Sequence, residues 1–148
     1  MSEIDNQELE RAALRLLVDR EHSRQELRRK LKARATHADQ LERLLDALVE
    51  QGAQSDQRYA QEYIASRRRR GFGPVRIGRE LAERGVEKAL VAECLGSDDA
   101  HWDQILLLTV KSKFGEHPPE DFKEWARRAR FLEYRGFAQD HIRRLLPR

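Results

Sequence analysis

Residues 66–85 read SRRRRGFGPVRIGRELAERG, from Ser66 to Gly85. This segment carries seven arginines (67, 68, 69, 70, 76, 79 and 84) against Glu80 and Glu83, a formal charge of +5 where the whole 148-residue chain has +3. Gly71 and Gly73 interrupt any helix running through the arginines. Pro74 suits the first turn of a new one, where its missing N–H is not needed. Val75, Ile77 and Leu81 then recur at helical spacing, and Gly85 offers a stop. The segment therefore predicts a helix ending, a tight turn and a second helix, with cations gathered at the junction. Such a junction presents arginines in a defined geometry to an acidic partner, either nucleic acid or an acidic protein groove.

The same punctuation extends outward in both directions. Leu9, Ala13, Leu16 and Leu17 form a helical stripe in the first segment. Ser23 with Glu26 is a capping box that opens a second helix carrying Leu27 and Leu31. Thr36 or Asp39 is the expected cap of a third, which carries Leu41, Leu44, Leu45, Leu48 and Val49 and has Gly52 at its end. Ser55 opens a fourth, with Tyr59, Tyr63 and Ile64 on one side and Gly71 as its stop. A sixth spans about Glu87 to Leu95, and Ser97 or Asp98 starts a seventh that reaches Gly115. Pro118-Pro119 precedes an eighth ending at Gly136, and a short ninth carries Ile142, Leu145 and Leu146. No stretch sustains period-2 alternation, so the fold class is all-α.

The nine segments group in threes. The middle helix of each group ends comparably, at Leu31-Lys-Ala-Arg34, Leu81-Ala-Glu-Arg84-Gly85 and Leu132-Glu-Tyr-Arg135-Gly136, and each short third helix has a paired apolar end at Leu44-Leu45, Cys94-Leu95 or Leu145-Leu146. The expected architecture is an elongated array of three tandem three-helix, helix-turn-helix-like repeats over residues 1–53, 54–97 and 98–148, each too small to fold well alone. Charge follows the repeat. Residues 24–34 and 123–148 each carry +5, like the central segment, so the rest of the chain is strongly acidic.

Catalytic and metal chemistry is not legible. The five histidines (22, 37, 101, 117 and 141) have neither metal-ligand spacing nor cysteine partners, and His22 and His117 read as loop residues. Gly71-Phe72-Gly73-Pro74 lacks the Lys-Ser/Thr of a phosphate-binding loop and reads as a helix stop and flexible link. Asp98-Asp99 and Glu120-Asp121 sit where helix starts favour negative charge. The single Cys94 excludes an internal disulfide and reads as a buried structural thiol. No catalytic residue, cofactor or metal is expected. With no long apolar run, and an acidic N-terminal MSEIDNQELERAAL without a signal-peptide layout, a soluble cytoplasmic protein is expected.

These residues together resemble the RecX family of bacterial recombination regulators. The resemblance rests on Arg20-Glu21-His22-Ser23 with Glu26-Leu27 and Lys30-Leu31, and on Asp56-Gln57-Arg58-Tyr59-Ala60 with Tyr63-Ile64. It continues through Ser66-Arg67, Gly71-Phe72-Gly73-Pro74, Ile77 and Glu80-Leu81, and ends on Arg130-Phe131-Leu132 with Arg135-Gly136-Phe137. The order is the family's and spans about Ala13 to Leu146. Ala35 departs from it, standing where a glycine often closes the first middle helix.

The resemblance implies three tandem three-helix repeats and a regulator that lodges in the helical groove of RecA recombinase filaments on single-stranded DNA. There it would hinder filament growth, ATP hydrolysis, strand exchange and repressor cleavage. It also implies DNA binding by the protein itself, to single-stranded and potentially double-stranded DNA, with no membrane role and a monomeric state. On this reading Arg67, Arg68, Arg69, Arg70, Arg76 and Arg79 form the central contact. Arg24, Arg28 and Lys32 extend it one way, and Arg127, Arg128, Arg143 and Arg144 the other. Arginine suits the task because its planar fork pairs bidentately with carboxylate or phosphate. The rival reading is a direct DNA-binding helix-turn-helix regulator without recombinase contact, with residues 74–84 as its reading helix.

Overall fold

The computed structural model describes residues 3–148, and residues 1–2 of the expected first repeat lie outside it. Nine α-helices are present among the described residues, and no strand. They are α1 (Glu3–Asp19), α2 (Arg24–Leu31), α3 (Ala38–Glu50), α4 (Asp56–Arg69), α5 (Pro74–Glu83), α6 (Lys88–Leu95), α7 (Asp99–Phe114), α8 (Phe122–Tyr134) and α9 (Gln139–Leu145). The fold is all-α, as the periodicity requires. None of the described helices is long and apolar enough to cross a membrane.

The chain divides into two compact units. One holds the residues up to Glu62 together with Leu81–Cys94; the other holds Tyr63–Glu80 with Leu95–Arg148. Helices α4 and α5 each run through both.

In the first unit, α1, α2 and α3 pack around Leu9, Ala13, Leu27, Leu31, Leu45 and Leu48. The Ser23 capping box forms in full: the Ser23 hydroxyl accepts from the Glu26 amide at 3.1 Å, and Glu26 accepts from the Ser23 amide at 3.1 Å. The same hydroxyl donates to the Arg84 carbonyl at 2.8 Å, joining the start of α2 to the end of α5. His22 is a loop residue, as its position suggested, but a buried one. It is 1 % exposed, with Nδ1 at 3.0 Å from the Arg20 carbonyl and Nε2 at 2.9 Å from Lys30 Nζ. Neither Thr36 nor Asp39 caps α3. His37 occupies that position without a side-chain bond. The buried Gln40 in the first turn of α3 instead ties that turn to its surroundings, accepting from the Thr36 amide at 2.9 Å and donating to Asn6 at 2.7 Å. After α2 the chain tightens into a 3₁₀ turn, Lys32–Arg34, and Ala35 keeps φ −82°, so no glycine is needed there.

In the second unit, α7, α8 and α9 enclose Leu106, Val110, Leu132, Phe137, Ile142 and Leu146. Asp98 caps α7 and Asp121 caps α8, accepting from the amides of His101 at 3.3 Å and Glu124 at 2.9 Å. Helix α6, which up to Cys94 belongs to the first unit, begins at Lys88, one residue after the expected Glu87. Cys94 is half-buried rather than buried, and burial pushes its thiol above the ordinary range.

Gly71-Phe72-Gly73-Pro74 is not a flexible link. The Gly73 amide donates to the Arg135 carbonyl at 2.8 Å, and the Val75 amide to the Gly136 carbonyl at 3.0 Å. A Cβ on Gly73 would lie 2.5 Å from the Gly136 oxygen, so the two backbones meet where no side chain fits. Two segments some sixty residues apart in sequence are thereby held as one backbone seam.

Candidate functional site

The arginine run splits into two groups with different duties. Its first member, Arg67, faces inward. Its Nε and Nη2 pair with the two oxygens of Glu80 at 3.1 and 2.8 Å, and the Tyr63 hydroxyl donates to Glu80 at 3.0 Å. Arg76, one turn before Glu80 on α5, approaches the same carboxylate at 3.5 Å. Burial alone would raise the Glu80 carboxyl, but hydrogen bonds from Arg67 and Tyr63, with the charges of Arg67 and Arg76, hold it below the usual range. Three guanidiniums surround Phe72: Arg67 at 4.6 Å, Arg76 at 4.5 Å and Arg135 at 4.9 Å from the ring centroid. The negative ring face and the Glu80 carboxylate together hold cations that would otherwise repel. Arg135 also donates to the Arg70 carbonyl at 2.6 Å, covering the C-terminal end of α4 where the partial charge is negative.

The remaining members face a cleft of about 500 Å³ between the end of α4, α7 and α8. Arg68, Arg69, Arg70, Lys113 and Arg135 bring cations to it, and its lining holds no carboxylate. Its lining also holds the apolar Ile105, Leu108 and Phe131, beside Thr109 and Ser112. Arg69 and Arg70 are exposed. Arg68 lies over the Trp102 ring at 4.5 Å, and its enclosed Nε makes no hydrogen bond. Burial lowers its guanidinium below the ordinary value, against a smaller opposing pull from Asp98. A desolvated cation without a close counter-ion favours an anion brought from outside.

The outlying candidates are placed differently. Arg24 bonds Asp46 at 2.6 Å, and Arg28 grips Glu42 bidentately at 2.8 and 2.9 Å. Lys32 is exposed on the 3₁₀ turn. Arg128 is 3 % exposed, bonded to Glu124 at 2.8 Å and to the His117 carbonyl at 3.1 Å, so it is a packing residue and not an available contact. Arg127 remains exposed, within 4.0 Å of Glu124. Arg143 pairs with Asp140 and Arg144 with Asp103, both at exposed positions. Arg79 is exposed on α5. Of the thirteen candidates, Arg68, Arg69 and Arg70 share the cleft. Arg135 and Lys113, absent from the candidates, complete it. The sequence did mark Arg135, as the recurring arginine that closes a middle helix, but that mark carried no hint of a site.

Helix α5 is a poor reading helix. Its first residues are occupied, Val75 bonding Gly136 through its amide and Arg76 lying 5.2 Å from the Tyr134 ring with Nη1 on the Tyr134 carbonyl. Among the described residues no group of histidine, cysteine, aspartate and glutamate has the arrangement to hold a metal ion.

The sequence matches the family model for the second three-helix domain of RecX over residues 55–95 and that for the third over residues 103–146. It is 43% identical over 136 residues to the regulatory protein RecX of Pseudomonas tolaasii, covering 92% of this chain and 88% of that one. It is 42% identical to the regulatory protein RecX of Pseudomonas syringae pv. tomato, covering 93% and 89%. The crystal structure of RecX from Lactobacillus salivarius superimposes with a TM-score of 0.79 over 95% of this chain and 94% of that one, at 19% identity, a likeness of fold.

Proposed function

The chain belongs to the RecX family of regulatory proteins, and on that premise we propose that it binds RecA recombinase filaments on single-stranded DNA in their helical groove. Bound there, it hinders filament extension, ATP hydrolysis, strand exchange and the coprotease activity, acting in the cytoplasm as a monomer built of repeats at 1–53, 54–97 and 98–148. The observation that supports this reading most directly is the cation-only cleft of Arg68, Arg69, Arg70, Lys113 and Arg135. A groove that presents protein carboxylates and DNA phosphates together supplies the anions this cleft lacks. The role is one of binding and not of catalysis, in keeping with the regulatory character of the relatives.

Purified protein added to recombinase filaments on single-stranded DNA tests the proposal. ATP hydrolysis should fall as the protein is added. Replacing the exposed Arg69, Arg70 and Arg79 together with alanine should weaken inhibition, because three cations open to an acidic partner are lost. Undiminished hydrolysis with the unaltered protein would overturn the reading.

A further inference from the structure

We propose that the cleft between the end of α4, α7 and α8 is a docking site for an acidic peptide segment carrying one apolar anchor residue, with Leu108 and Ile105 as its apolar lining and Arg69, Arg70 and Lys113 as its rim. The proposal rests on the regulatory reading above and deepens it by assigning this cleft to protein and leaving DNA to other cations.

Two features point to a peptide. The first is the union of an uncompensated cationic rim with aliphatic lining residues. None of Arg68, Arg69, Arg70, Lys113 and Arg135 forms an ion pair with a described carboxylate, while Leu108, which lines the cleft, is 55 % exposed. An exposed leucine ringed by unpaired cations is complementary to a side chain that buries methylenes, flanked by carboxylates. The second is the lack of a stacking platform. Single-stranded nucleic acid binds by laying bases on open aromatic faces. The aromatic residue lining the cleft is Phe131. Its ring already meets Phe114 in a T-shaped contact at 5.4 Å, with Arg135 at 5.0 Å and Lys113 at 5.5 Å from its centroid. Phosphates could reach the rim, but their bases would find no ring to cover.

The cation geometry also suits carboxylates held at fixed spacing. Arg135 is anchored through the Arg70 carbonyl, and Arg68 is held over Trp102. Both are pre-positioned before any ligand arrives, which lowers the cost of ordering them on binding.

Fluorescence anisotropy with three labelled probes tests the assignment on the full chain. The probes are a short Glu/Asp peptide with one central leucine, a polyglutamate peptide of equal charge, and an oligo-dT of equal charge. The leucine-bearing peptide should bind about tenfold more tightly than polyglutamate, the scale set by burying one leucine side chain. Leu108→Ser should abolish that advantage, and Leu107→Ser, which lies outside the cleft, should keep it. Arg69→Ala with Arg70→Ala should weaken both peptides together. Equal affinity for the two peptides would overturn the proposal. So would oligo-dT that competes with the leucine-bearing peptide and loses affinity in Arg69→Ala with Arg70→Ala, because the cleft would then be a nucleic-acid site. Filament inhibition is measured in parallel with the same proteins. Loss of peptide preference with filament inhibition intact rejects this assignment alone, whereas absence of inhibition by the unaltered protein rejects the regulatory reading.

Discussion

At the scale of single residues, neighbouring arginines with one chemistry have opposite roles. The Arg67 and Glu80 side chains are 20% and 13% exposed, so removing the guanidinium takes two charge-assisted hydrogen bonds from a largely enclosed carboxylate. Arg67→Ala should lower unfolding free energy by about 2 kcal/mol, against about 0.5 kcal/mol or less for Arg69→Ala, checked by urea denaturation. His22 makes a second prediction. Burial holds its imidazole below the ordinary 6.5, outweighing the hydrogen bond to the Arg20 carbonyl that raises it, with smaller lowering effects from the Arg20 and Lys30 charges and a smaller raising one from Glu26. The folded state therefore favours neutral His22 while the unfolded chain takes up the proton near 6.5. Its stabilising contribution is present above that pH and is lost as pH falls below it. The melting temperature should drop between about pH 7.5 and about pH 5.5, and His22→Asn should flatten that dependence. Neither role was legible in the sequence. RRRR is four identical letters, and which arginine turns inward depends on Glu80 and Phe72, brought to it by the turn at Gly71.

At the scale of elements, most of the helix boundaries were legible because they are local chemistry. The Ser23–Glu26 capping box, Asp98 ahead of α7 and Pro74 at the head of α5 act within one turn of the chain. The cap of α3 was not legible, because His37 takes that position without a side-chain bond and the first turn is tied instead to Asn6 in α1 through Gln40. The Gly73 seam failed for the same reason. A glycine between helices reads as freedom, whereas here the partner backbone at Gly136 makes it a close approach. Gly73→Ala should cost about 2 kcal/mol or more through overpacking against backbone that cannot move aside. Gly52→Ala meets nothing within 4 Å and bears only the strain of φ +77°, about 1 kcal/mol. Paired thermal melts check the order, and a Gly73→Ala protein as stable as Gly52→Ala would contradict the rigid seam.

At the scale of the whole molecule, a net charge of +3 conceals three segments of +5 set in an otherwise acidic chain. Segregated charge of this kind acts at a distance, so association with a polyanion should accelerate as salt is lowered. Stopped-flow association with filaments at several ionic strengths reads this directly, and a salt-independent on-rate would argue against steering by the basic segments. The sequence by itself determined the all-α class, the helix order, most of the caps and the family, because periodicity, capping and motif order are properties of neighbouring residues. Only the tertiary structure decided which cations are available. It withdrew Arg67 and Arg128 into ion pairs and packing, and it brought Arg135 and Lys113 beside Arg68, Arg69 and Arg70. Burial and counter-ions are set by residues tens of positions away, and it is burial and counter-ions that separate a structural arginine from a binding one.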